Sequence, residues 1–265
     1  MSSDKTIIVI PARYDSTRFP GKLLADLAGK PVIQWVYEKA LATKADDVWV
    51  AVDDARIADA VAKFGGKFVM TSPNHPSGTD RIREAVNKIE AITGHFDVIV
   101  NLQGDEPMVH PEVVDQLINM MLDDSNIEMG TVAVEKNRDE IADDPNKVKV
   151  VLATPANASN NNVARAIYFT RASAPFLRDG GEDCGMLHHW GIYAYRYDVL
   201  EKIVSFPPSK LENCEKLEQL RALENGVAIH VLKTTQGTIG IDTPEDLEEA
   251  RKIWDEETCD YTLNT

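Results

Sequence analysis

The first half of the chain alternates short apolar runs with segments of helical periodicity, and this alternation leaves few architectures open. "TIIVI" (residues 6–10), "DVWVAVD", "KFVMT" and "FDVIVN" have the length and apolar density of buried strands. Between them lies "KPVIQWVYEKALAT", with Val32, Ile33, Val36, Tyr37 and Ala40 on one helical face. "ARIADAVAKFGG", "SGTDRIREAVNKIEAI" and "PEVVDQLINMML" are further helical segments. Strands that alternate with helices in this way predict an α/β fold, with a mostly parallel central sheet and helices on both faces.

After Met129 the rhythm changes. "GTVAVEK", "KVKVVLAT", "ARAIYFTRA" and "HHWGIYAYRY" are strand-like with fewer helices between them. "LENCEKLEQLRALENG" reads as one helix and "VAIHVLKT" as a strand. A last helix is expected over 243–256, with Thr243 as its cap and Pro244 in its first turn. The polar stretch 154–162, "TPANASNNN", is expected to be a surface loop. We expect one domain over 1–265, with a first part at 5–130 and a second at 131–235.

The loop leaving the first strand, "PARYDSTRFPGK", carries Arg13, Arg18 and Lys22. The chain has a formal net charge of −15, which argues against a general nucleic-acid surface and makes three local cations informative. A loop at the C-terminal end of a strand is where open α/β sheets bind ligands. Arginine forks and a lysine point charge there suit a polyphosphate, although a solvated turn paired with surface carboxylates fits equally. The pattern is not a P-loop, since Ser16 stands where a glycine is required and Leu23 follows the lysine.

"VIVNLQGDEP" would deliver Gln103, Gly104 and Asp105 to the end of a central strand. Asp105 is then a candidate ligand for Mg²⁺, which is commonly held by one or two carboxylates plus substrate phosphates; the alternative is a turn aspartate. Asp242, in "GIDTPED", reads alone as a helix-start residue and as a second ligand only if it meets Asp105 in space. "SGTDR" is either an anion-attracting helix start or a simple cap. His188 and His189 fall on opposite faces of a strand and cannot share one metal from it. Three cysteines with no CxxC pair, no apolar run near the ~20 residues of a membrane span, and no leader pattern ahead of "TIIVIPARY" lead us to expect a reducing cytoplasm.

Taken in order, "PARYDSTRFPGK", "SGTDR", "NLQGDEP", "YFTRA", "HWGIYAYR", "LEQLR" and "DTPEDLE" closely resemble the 3-deoxy-manno-octulosonate cytidylyltransferases, over nearly the whole chain. The resemblance implies a Rossmann-like nucleotidyltransferase fold with an inserted antiparallel portion that forms a homodimer. It implies transfer of CMP from CTP to 3-deoxy-D-manno-octulosonate (Kdo) for lipopolysaccharide synthesis. The same reaction on 8-amino-Kdo or another 3-deoxy-2-ulosonic acid is an alternative. So is a non-catalytic nucleotide-binding regulator.

By the same resemblance the first loop, from Pro11, Ala12 and Arg13, wraps CTP, while Arg18 and Lys22 hold the phosphates. Asp105 and Asp242 bind Mg²⁺, and with Arg18 and Lys22 they form the catalytic set. Gly78, Arg81 and Gln103 lie toward the nucleotide. Gln103, Arg171, His189, Tyr193, Glu218 and Gln219 contact the sugar acid. The Asn-rich 154–162 segment and Trp190 after His189 depart from the family pattern.

Overall fold

The computed structural model describes residues 4–153 and 162–263, and for 255–263 the backbone alone. The Asn-rich 154–162 segment therefore lies outside the described residues except for Asn162.

The elements run in chain order as follows. The first are β1 (Thr6–Ala12), β2 (Asp26–Leu27), β3 (Lys30–Pro31), α1 (Val32–Leu41), β4 (Asp47–Val52), α2 (Ala55–Lys63) and β5 (Phe68–Met70). Next come α3 (Gly78–Thr93), β6 (Val98–Asn101), α4 (Pro111–Asp123), β7 (Met129–Lys136) and α5 (Arg138–Ile141). Then follow β8 (Lys149–Ala153), β9 (Val163–Thr170), β10 (Met186–Arg196) and α6 (Tyr197–Ser205). The chain closes with α7 (Lys210–Glu215), α8 (Gln219–Glu224), β11 (Ile229–Thr234) and α9 (Pro244–Leu263).

The chain packs into two compact units. One comprises Ile7–Gly94, Leu102–Pro111 and the described residues of Thr238–Thr265. The other comprises the described residues of Met1–Thr6, with His95–Asn101 and Glu112–Gly237. This partition is drawn differently from the 5–130 and 131–235 parts expected from sequence. Short excursions, not one cut, assign β6 and the segment after it to different units.

In the first unit β1 pairs parallel with β4, and β4 with β5. The core residues of β1, Ile7 to Ile10, are wholly buried, as a strand covered on both faces requires. Helix α2 starts at Asp54, whose carboxylate accepts the Arg56 N–H, and α3 starts at Ser77, whose hydroxyl accepts the Asp80 N–H. Helix α9 rests on a separate apolar cluster of Leu27, Val32, Ile241, Leu247 and Ala250, with Trp35 and Trp254 at 4.2 Å between ring centroids. It runs to Leu263, past the expected end at 256, because "ETCDYTL" holds no glycine or proline to stop it.

The second unit is dominated by antiparallel pairing. β10 pairs with β6 and β7, and β9 pairs with β8 and β11; β11 and β7 are parallel. The β10–β7 register shifts between Trp190 and Tyr193, a bulge that bears on the site below.

The single helix expected over 211–226 is in fact two, α7 and α8, broken at Lys216 with φ 55°. The reason is tertiary. The Arg171 guanidinium takes the backbone carbonyls of Glu215 (2.7 Å) and Lys216 (3.4 Å), which a continuing helix would need for its own ladder. Helix α6 was not foreseen at all.

Candidate active site

The first unit gathers the cationic loop and two carboxylates. Gly21, at φ 71°, turns the chain back so that its N–H meets the Tyr14 carbonyl, and this closes the 14–21 loop and aims Lys22 inward. Gly104 lets the segment after β6 run tight against the end of β1: a Cβ there would lie 2.9 Å from the Pro11 carbonyl oxygen. The N–H of Ile241 then bonds the Asp105 carbonyl at 2.9 Å, which sets Asp242 beside Asp105.

The result is a compact charge cluster. Lys22 Nζ lies 2.5 Å from Asp105 Oδ2 and 2.9 Å from Asp242 Oδ1, and Arg18 Nη2 lies 2.8 Å from Asp242 Oδ2. Burial by itself lowers the Lys22 pKa, but the two aspartates outweigh it and the net shift is upward, so the ammonium stays charged. Burial likewise opposes ionisation of Asp242, and Lys22 and Arg18 overcome it, leaving its carboxyl below the usual value.

The helix-start alternative for Asp242 is answered by its neighbours. The Asp246 carboxylate accepts the N–H groups of Asp242 (2.9 Å) and Thr243 (2.8 Å), and the Thr243 hydroxyl accepts the Asp246 N–H. Thr243 and Asp246 cap α9, and the Asp242 side chain points to the cations instead.

A divalent cation fits this donor set. Two carboxylates already converge on one positive charge, and all donors are oxygen, as Mg²⁺ prefers. Next to them Glu106 has a buried Oε2 with no hydrogen-bond partner, and burial followed by Asp105 and Asp242 pushes its pKa up to about 8. Among the described residues no group of three or more His, Cys, Asp or Glu gathers to hold a metal. Two protein carboxylates with the remaining positions left to substrate oxygens and water is the usual arrangement for Mg²⁺.

In the same unit, a cavity of about 580 Å³ is lined by residues of the 13–17, 53–54 and 73–75 segments. Arg13 reaches the His75 carbonyl at 3.2 Å there. Arg81 does not extend into open space. It is 2 % exposed, and bonds Thr71 Oγ1 (2.7 Å) and Asp53 Oδ2 (3.0 Å), while the other Asp53 oxygen accepts the Tyr14 N–H. Arg81 thus holds the loop through Asp53, a connection that residue spacing does not reveal. Gly78 begins α3, and Ser77 with Asp80 makes an ordinary cap there. Gln103 lies between β6 and Asp105, and Pro11 and Ala12 end β1.

The remaining sequence-derived residues belong to the second unit. His189 is 7 % exposed on β10, with Phe169 edge-on at 4.8 Å and Tyr193 at 5.5 Å between ring centroids. Burial and then His188 push its pKa down to about 3, so it is neutral. Arg171 follows β9. Besides the Glu215 and Lys216 carbonyls it donates to that of Pro145 at 2.8 Å, so three of the five guanidinium N–H groups are engaged. Glu215, which the sequence did not single out, accepts from the Arg171 N–H and the Thr170 hydroxyl. Glu218 and Gln219 open α8. Gln219 is 5 % exposed, and its Nε2 is buried without a partner, a donor free for a ligand oxygen.

Residues 7–229 match the family model described as Cytidylyltransferase. A relative from Thermodesulfovibrio yellowstonii, named 3-deoxy-manno-octulosonate cytidylyltransferase, is 48% identical over 256 residues, 93% of this chain and 97% of that protein. A solved CMP:2-keto-3-deoxy-manno-octonic acid synthetase complexed with CTP superposes with a TM-score of 0.86 at 44% identity, covering 96% of this chain and 99% of that one. A solved apo UDP-glucose pyrophosphorylase, at 15% identity and a TM-score of 0.66, covers 96% of this chain and 99% of its own and shares the nucleotidyltransferase fold alone.

Proposed function

The chain belongs to the 3-deoxy-manno-octulosonate cytidylyltransferases, and from that premise we propose how its own residues carry out the reaction. It transfers CMP from CTP to Kdo, giving CMP-Kdo and pyrophosphate. The anomeric hydroxyl attacks the α-phosphorus in line as pyrophosphate leaves. No protein nucleophile is needed.

Both substrates are anions, and each pair of like charges at ~4 Å costs about 1 kcal/mol even in bulk water. Asp105 and Asp242 would hold Mg²⁺, which when bound supplies the positive charge that offsets this repulsion and makes the attacking hydroxyl more acidic. Lys22 and Arg18 move from the carboxylates to the triphosphate and neutralise the charge that develops on the leaving pyrophosphate. The observation that carries this reading is the Lys22 ammonium seated between the two aspartates, with Arg18 on the outer oxygen of Asp242.

Arg13 and the backbone of Pro11 and Ala12 take the base and ribose, in the cavity beside residues 13–17. Gln103 and Gly78 border the nucleotide, and Arg81 acts on it only through Asp53 and the loop. Arg171, with two N–H groups free, His189, Tyr193, Glu218 and the unpartnered Gln219 amide take the carboxylate and hydroxyls of the sugar. The fold is read as Rossmann-like, with the antiparallel portion forming a homodimer. Support comes from apolar side chains left exposed there, Ile167 at 56 %, Phe176 at 84 % and Leu177 at 37 %. The product is a glycosyl donor, and we assign it to lipopolysaccharide assembly in the cytoplasm. Free Cys184 and Cys214 agree with a reducing compartment, and no helix among the described residues is long and apolar enough to cross a membrane.

The test is pyrophosphate release from CTP, UTP and GTP in turn, each with Kdo, with and without Mg²⁺. Release with CTP alone and only with Mg²⁺ is expected. Undiminished release after chelation would remove the metal role, and equal turnover on a sugar 1-phosphate would remove the proposed sugar site.

A further inference from the structure

Thr131 sits on β7, wholly buried, opposite the bulge of β10. Its hydroxyl oxygen is 2.7 Å from the Ile192 carbonyl, 3.2 Å from the Trp190 carbonyl and 3.0 Å from His189 Nε2. A hydroxyl has one proton and two lone pairs. Both carbonyls can only accept, so the Thr131 proton goes to the bulge, chiefly to Ile192. Nothing remains to donate to the imidazole, and the third contact works only if His189 Nε2 carries a hydrogen and Thr131 accepts it.

A neutral imidazole has a single N–H. With it at Nε2, Nδ1 is a bare lone pair, and no hydrogen bond reaches Nδ1 among the described residues. Phe169, edge-on, and Tyr193, tilted, fix the ring plane, so the lone pair has one direction. The burial that keeps this ring neutral removes the option of a second proton.

We propose that Thr131 is a positioning residue that holds His189 as the Nε2–H tautomer and so presents Nδ1 as a hydrogen-bond acceptor for a sugar hydroxyl. This rests on the assignment of His189 to the sugar. It divides the labour of the site: His189 takes a donor from the ligand, whereas the Gln219 amide and Arg171 offer donors to its carboxylate or hydroxyl oxygens. A ligand with an ether or a bare hydrogen in place of the hydroxyl that meets Nδ1 leaves a buried acceptor unpaired, which is the source of strong discrimination in polar sites. The bulge is the structural cause, because regular pairing would have given the two carbonyls strand partners and left the Thr131 proton free for the ring.

The direct measurement is the ¹⁵N spectrum of the histidine side chains in the intact protein near pH 7, with His189 identified by its loss in His189→Gln. A pyrrole-type Nε2 and a pyridine-type Nδ1 are expected, retained in Thr131→Ser and lost or mixed in Thr131→Val. In the same series Thr131→Val should raise the KM for the sugar roughly tenfold, the scale of one hydrogen bond, while the KM for CTP holds and Thr131→Ser restores the sugar KM. A pyridine-type Nε2 in the unaltered protein overturns the proposal on its own, whatever any variant does. If instead the tautomer is as stated but His189→Gln leaves the sugar KM unchanged, the assignment of His189 to the sugar fails and the proposed hydroxyl contact with it.

Discussion

Asp242 and Thr243 are adjacent, and the structure gives them separate tasks. Asp242 faces Lys22 and Arg18, while Thr243 and Asp246 satisfy the start of α9. Substitutions should therefore separate cleanly. Asp242→Asn and Asp105→Asn should each lower kcat on the order of 10² or more, as removal of one electrostatic stabiliser does, with unfolding transitions near the original. Thr243→Ala should do the reverse, costing about 1 kcal/mol of stability with kcat little changed. Pyrophosphate release and denaturant unfolding of the three proteins provide the check, and a large stability loss in Asp242→Asn would return that residue to a capping role. The orphan oxygen of Glu106 beside this pair could have been suspected, since it follows Asp105 directly in "GDEP", but its burial could not.

At the scale of elements, two polar ties hold helices that carry residues of the proposed site. Glu212 accepts from Arg221 Nε (2.9 Å) and Nη2 (2.5 Å) with both residues buried, and it also closes a capping box with Ser209, so α7 and α8 keep a fixed relation. Arg221→Met leaves a buried carboxylate unpaired and should cost about 3–5 kcal/mol. Since Gln219 is two residues away, the KM for the sugar should rise while that for CTP does not. Unfolding curves and the two KM values test this together. The second tie joins α3 to the 72–75 loop beside the cavity. Burial would raise the Glu84 pKa, but Lys88, the Ser72 N–H and His75 outweigh it and bring it from 4.5 down to about 2. A depressed carboxylate stabilises the fold fully above its unfolded value and loses that contribution as pH falls through the folded one. The stability gap between the protein and Glu84→Gln should therefore be full above about pH 4.5 and close toward pH 2. Unfolding free energies across that window measure it, and a gap independent of pH would contradict it.

For the molecule as a whole, a formal net charge of −15 is set against two anionic substrates, so binding depends on local cations and not on a general field. Each proposed ligand group lies within one unit. Lys22, Asp105 and Asp242 lie in one, and Arg171, His189, Tyr193, Glu218 and Gln219 in the other. The second unit also carries the exposed Phe176 and Ile167. If these are covered by a second copy, Phe176→Asp should convert a dimer to a monomer in sedimentation while leaving the monomer folded, because a side chain 84 % exposed adds little to its own core. A monomeric unaltered protein at working concentration would contradict the homodimer.

What the sequence determined by itself was the alternation of strands and helices and the residue types proposed for the site. Short apolar runs and helical periodicity reflect short-range energetics, so β1, α1 and α3 were legible where they stand. The order of motifs was legible too, and with it the family. Tertiary structure alone decided which of many carboxylates face Lys22, because those partners lie 83 and 220 residues away. It decided that the 211–226 segment breaks at Lys216, where Arg171 takes the carbonyls a helix would use. It decided that Arg81 serves a loop, and that the Thr131 hydroxyl meets both the carbonyls of the β10 bulge and the His189 ring. Each of these depends on which donors and acceptors remain unpaired after the strands and helices have packed, and local sequence does not encode that remainder.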